Sequence, residues 1–172
     1  DKPERTQTQI ILGQKGLAIQ DPRTDALQVL NYVFGGGSFQ SRLMVELRVK
    51  TGWTYTAGSA LKLASKPHTW RISYFPKNGD TEISLKKTLN MIQELKQKGI
   101  TSEEFNFAIQ SMTNGAGFNY NTPLKRLENR LLEVIYDLPE GYTRNFAARL
   151  KQLTLEQVNQ TTREFLRPEN MM

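Results

Sequence analysis

Strand-like sequence ends early in this chain: after Phe75 almost every stretch carries the 3.6-residue apolar repeat of a helix. Strands gathered towards the front and helices dominating the back predict an α+β domain. Its expected architecture is a two-layer sandwich, with helices packed on one face of a largely antiparallel sheet. The 172 residues suit one ordinary domain, and no internal repeat, linker or low-complexity stretch divides them. Residues 1–172 are therefore read as a single domain, and the polar start without Met as a lead-in cut from a longer chain.

The first strand is expected within residues 7–18, where a β-branched apolar centre meets a glycine break. Asp21 as cap and Pro22 in the first turn open a helix carrying Ala26, Leu27, Leu30, Val33 and Phe34, and Gly35, Gly36 and Gly37 are expected to stop it. A second helix is read over residues 41–50, ended by Gly52. Residues 54–63 and 69–75, rich in Thr, aromatic and small side chains, read as a hairpin turning at residues 65–68. Helices follow at residues 80–98, after the capping box Thr101/Glu104, from Pro123, beyond Gly141, and after the capping box Thr154/Gln157. Residues 113–122 read as a Gly/Asn-rich loop, and Pro168 as the end of the last helix.

Composition closes off several chemistries. With no cysteine there is no disulfide, cysteine-ligated zinc, iron–sulfur cluster or thiol nucleophile. His68 is the only histidine, whereas a zinc peptidase site needs at least two imidazoles or equivalent ligands, a carboxylate and a position for water. No Gly-x-Ser-x-Gly elbow positions a nucleophile, and the glycine run follows a helix, whereas a phosphate-binding loop follows a strand. The formal charge of +6 comes from scattered Lys and Arg, which reads as a solvated surface without a nucleic-acid footprint. No apolar run approaches the ~18 residues of a membrane span, so no membrane insertion is expected. Trp53, Tyr55, Trp70, Tyr74 and Phe75 are expected to serve the core or a partner interface.

The most specific stretch is GGGSFQSRLMVELRVKTGWTYTAGS, residues 35–59. It resembles the second domain of pitrilysin (insulinase) family zinc metallopeptidases: a triple-glycine turn, Ser-Arg-Leu, an Arg near a helix end, a Gly and then a Tyr. Asp21-Pro22, the run from Gly99 through Glu104, and Leu166-Arg167-Pro168-Glu169-Asn170 extend the resemblance over nearly the whole chain. Trp53, Phe34 and Val49 depart from the family's commonest pattern, and Trp53 stands beside the Tyr55 pocket, where it bears on substrate preference.

What the resemblance implies is a half-domain like those of mitochondrial processing peptidase and LuxS-like metallohydrolases. This half has no catalytic residue, metal ligand or cofactor of its own. It closes over a zinc-bearing half with the His-x-x-Glu-His motif, upstream in the same chain or on a separate subunit. Arg48 and Tyr55 are the implied substrate-binding residues, holding the peptide backbone and stabilising charge on the carbonyl oxygen. Read without the resemblance, Arg48 is a helix-end cation and Tyr55 a packing residue. The implied partners are the zinc half, a peptide substrate, and a second copy when the domain is isolated, joined through the sheet edge and the aromatics near Tyr55 and Trp70. The expected location is the periplasm or cell envelope of a bacterium, with the cytoplasm as the other option. The alternative function is a structural scaffold of the same fold, similar to the core proteins of the respiratory cytochrome complex.

Overall fold

A computed structural model describes residues 4–37 and 39–172. Its three strands are β1 (Ile10–Lys15), β2 (Ala57–Leu61) and β3 (Thr69–Tyr74), hydrogen-bonded in the order β1-β3-β2 with both pairings antiparallel. Ile72 sits opposite Leu12 on one side and Ser59 on the other. Because side chains alternate along a strand, this register gathers Ile10, Leu12, Trp70, Ile72, Tyr74 and Ala57 on one buried face. On the outer edge of β1, Gly13 and Met172 exchange two backbone hydrogen bonds of 2.9 and 3.1 Å.

The helices are α1 (Thr24–Asn31), α2 (Arg42–Met44), α3 (Thr81–Lys98), α4 (Ser102–Ala116), α5 (Pro123–Ile135), α6 (Phe146–Gln152) and α7 (Leu155–Phe165). Leu27, Leu30, Ile92, Leu95, Ala108, Leu150 and Val158 bring helices from both halves of the sequence into one core with the sheet. The expected α+β architecture is what the structure has. Trp70 sits at its centre, 5.7 Å from the Phe34 ring and 6.0 Å from that of Phe165. Its indole N–H donates to Asn31 Oδ1 at 2.9 Å, and the Ser59 hydroxyl donates to the same oxygen at 2.8 Å. A large ring can be buried here because its one polar atom has a partner. Trp70 is thus wholly internal and serves the core, one of the two roles expected of the strand aromatics.

Local differences have local causes. Asp21 does not cap α1: its carboxylate accepts from the backbone N–H of Arg23 at 2.9 Å and pairs with that guanidinium at 2.8 Å, and α1 begins at Thr24. The glycine run ends the first helix as expected, at Gly37, where the backbone becomes extended. The helix widens into a π turn over Tyr32–Gly36, with Gly35 buried against β2. A Cβ at Gly35 would lie 2.6 Å from the Ser59 nitrogen, so only glycine allows this approach. Residues 113–116 continue α4 and do not form a loop, the Thr113 hydroxyl bonding back to Ile109 C=O at 2.7 Å. Both expected capping boxes are formed.

Candidate functional site

Arg48 lies in a second π turn, Val45–Val49, that continues α2. Leu43 and Leu47 are fully buried and hold this segment to the core. Arg42 locks its start: the guanidinium donates to Glu104 at 2.6 and 2.7 Å and to Gly99 C=O at 3.0 Å. At the other end Lys50 N–H reaches Val45 C=O, and the Thr51 hydroxyl donates towards the Leu47 and Glu46 carbonyls. Gly52 then turns the chain with φ +67 while its N–H bonds to Arg48 C=O at 2.9 Å.

The segment between Gly52 and β2 is stitched down by Thr54, a buried residue. Its N–H bonds to Leu47 C=O, its hydroxyl donates to Thr56 C=O at 2.8 Å, and it accepts from Phe75 N–H at 3.2 Å. With Thr54 inward, Tyr55 points out and is 78% exposed, in the loop two residues ahead of β2. The Arg48 guanidinium carbon lies 4.5 Å from the Tyr55 ring centroid. The structure therefore brings the two sequence-predicted residues together. It adds a third that sequence reasoning missed: the Phe39 ring centroid is 4.8 Å from the same carbon, and Phe39 is 63% exposed. The available signal was a phenylalanine in a polar turn just after the glycine run, where there is little core for it to fill.

The charges around Arg48 are already matched to others. Glu46 pairs with Lys50 at 2.6 Å and Lys87 at 2.9 Å, and those lysines hold its carboxyl below the usual range. For Glu104, burial pushes the pKa up, but the hydrogen bonds from Arg42 and Thr101 outweigh it and the net shift is downward. Among the described residues no carboxylate pairs with Arg48. A groove of about 380 Å³ lined by Arg42, Glu46, Lys87, Met91, Glu94 and Glu104 runs beside this segment, and two of its three carboxylates, Glu46 and Glu104, are engaged by its own cations. Trp53 is half-buried and packs against the core, while Val49 is exposed.

The described residues do not offer a donor set that fits zinc. His68 is exposed and its Nδ1 contacts the Thr69 hydroxyl at 3.1 Å. Among the described residues no group of three or more His, Cys, Asp or Glu is placed to hold a metal. No helix is long and apolar enough to cross a membrane among them either.

Comparison with known proteins gives a consistent picture. The family model described as the peptidase M16 inactive domain matches residues 1–112, which include the Arg48 segment. The peptidase M16 inactive domain from Pseudomonas fluorescens is similar in structure, with a TM-score of 0.89 and 28% identity over 97% of this chain and 40% of that one. A protease from Helicobacter pylori superposes with a TM-score of 0.85 at 17% identity, over 96% of this chain and 40% of that one. The periplasmic protease PqqL from Escherichia coli has a TM-score of 0.79 at 18% identity, over 96% of this chain and 18% of that one. The chain thus spans 40% of the length of each of the first two. No curated protein matches it.

Proposed function

The chain belongs to the family of peptidase M16 inactive domains, and from that premise we propose that it closes over a zinc-bearing half and binds the peptide there through Arg48 and Tyr55. The observation that carries this reading is a cation without a carboxylate partner among the described residues, held 4.5 Å from an exposed phenol ring. A guanidinium lying over aromatic faces keeps its N–H donors available, because a ring attracts the charge but offers no lone pair in the plane of those donors. Arg48 and Tyr55 would then donate hydrogen bonds to the substrate carbonyl. Such donors act chiefly on the charge that develops in the transition state. The metal chemistry belongs to the other half, which residues 1–172 would meet as one domain of a longer or two-chain enzyme. Location in the periplasm or cell envelope is part of the same proposal, and the fold is shared with a periplasmic protease.

The test is turnover of a peptide by this chain assembled with its zinc-bearing half. Arg48→Ala and Tyr55→Phe should each lower kcat about 10²–10³-fold, as removal of an oxyanion donor does, with zinc content and folding unchanged. Arg48→Lys keeps the positive charge and removes the planar fork, so it should also lose activity. Full activity in all three variants would leave the scaffold reading in its place.

A further inference from the structure

We infer that Phe39 is a positioning and specificity residue: it holds the Arg48 guanidinium together with Tyr55, and its exposed ring forms an apolar subsite for a bulky apolar side chain of the bound peptide. This rests on the proposed role of Arg48 and Tyr55 and adds to it the side-chain class the site prefers.

Three observations converge. Phe39 and Tyr55 come from different loops, sixteen positions apart, yet both rings lie within 5 Å of the Arg48 guanidinium carbon. Described residues near Phe39 are held on both sides: Gly37 N–H bonds to Tyr32 C=O at 2.8 Å before it, and Ser41 and Leu43 are buried after it. Phe39 itself remains 63% exposed, so its ring is presented at the surface and is not one of the core side chains. A single exposed apolar residue is ordinary on a protein surface. Two exposed rings over one cation that has no carboxylate partner among the described residues are a different arrangement, since each ring both orients the cation and offers apolar area beside it.

The consequence for a peptide is specific. If Arg48 donates to a backbone carbonyl, a neighbouring side chain of the peptide lies within reach of the rings around Arg48. An aromatic or large aliphatic side chain would cover Phe39 and exclude water from the Arg48 donors, which strengthens the hydrogen bonds they make. A glycine there would leave them wet.

The experiment uses the chain assembled with its zinc-bearing half and three fluorogenic Gly/Ser octapeptides, with Gly, Leu or Phe at one central position. The wild type should show kcat/KM rising from Gly to Leu to Phe, carried mainly by KM. Phe39→Ala should flatten this ladder, lowering kcat/KM for the Phe peptide about 5-fold while changing the Gly peptide about 2-fold through the loosened Arg48. Phe39→Tyr should restore the ladder, whereas Phe39→Leu should restore the Leu and Phe preference without the hold on Arg48. A purely structural role would shift all three peptides alike. If Arg48→Lys and Tyr55→Phe reduce turnover but Phe39→Ala leaves the ladder intact or lowers it uniformly, the subsite is overturned and the Arg48/Tyr55 reading stands. If Arg48→Lys and Tyr55→Phe have no effect, both are overturned.

Discussion

Around Trp70 the side chains of β3, α1 and α7 are buried against one another, whereas along α5 most apolar side chains face outward. Leu124, Leu127, Leu131, Val134 and Ile135 are all exposed, and the core cluster passes from Met112 straight to Phe146. The single buried side chain of α5 is a carboxylate, Glu133, at 4% exposure. Its oxygens accept from Thr143 N–H at 2.9 Å and hydroxyl at 2.6 Å, from Gly141 N–H at 3.2 Å and from Arg130 at 3.1 Å. Gln20 adds one tie to the rest of the molecule, donating to Tyr136 C=O at 2.7 Å. The family model also stops at residue 112, at the last core-packed residue before α5, and the core resumes at Phe146. The difference teaches that one helix can be ordered by a polar clasp while the body around it is ordered by apolar burial. These two kinds of support respond to different perturbations.

The largest effect is expected in the body. Trp70→Ala should destabilise global unfolding by about 3–5 kcal/mol, through lost burial and the cavity it leaves, with Asn31 losing a donor as well. Denaturant melts monitored by circular dichroism measure this. A loss under ~1 kcal/mol would mean that the core around Trp70 is not what holds the fold.

Next comes Glu133. Burial would raise its pKa, but the hydrogen bonds from Thr143, Arg130 and Gly141 outweigh it and bring the carboxyl from 4.5 to about 2. A folded-state pKa below the unfolded one means that this contribution is fully present above about pH 4.5 and is lost as the pH falls towards 2. The shift therefore contributes stability at neutral pH. Hydrogen exchange should therefore show residues 117–145 opening between pH 4.5 and 2, and Glu133→Gln should open them already at pH 7. If acid opens the body and residues 117–145 together, with the same profile in Glu133→Gln, the two regions form one cooperative unit and the contrast fails.

The helix caps sharpen the comparison at smaller cost. Thr101 closes a full capping box on α4 in the body, and the Thr122 hydroxyl accepts from Lys125 N–H at 3.2 Å at the start of α5. Thr101→Ala should lower global stability by about 1 kcal/mol. Thr122→Ala should raise exchange in α5 alone and leave the global midpoint in place. The smallest effect belongs to Leu127→Ala, expected within about 0.5 kcal/mol because the side chain is 56% exposed. A cost comparable with that of a core leucine would show that α5 is packed after all.

Much of this molecule was legible in the order of its residues because the forces concerned act over a few positions. A threonine and a glutamate three apart specify a capping box, as Thr101/Glu104 and Thr154/Gln157 do, and alternation specifies the faces of β1, β2 and β3. The Arg48/Tyr55 pair was also readable, through its resemblance to a family. The lone His68 and the missing cysteines left no local set of zinc ligands to find. What the sequence could not decide is burial, since that depends on partners many positions away. Helical spacing marks the apolar stripe of α5 and the buried one of α1 alike, and only the packed molecule shows that one is covered and the other is not. Trp70 became core because Asn31, thirty-nine residues away, takes its N–H, and Phe39 joined Arg48 and Tyr55 only when the Gly35 approach to β2 and the Gly52 turn brought their loops together. Glu133 is the clearest case: a glutamate on a charged helix reads as solvent-facing, until a turn eight to ten residues later supplies the donors that make its burial favourable.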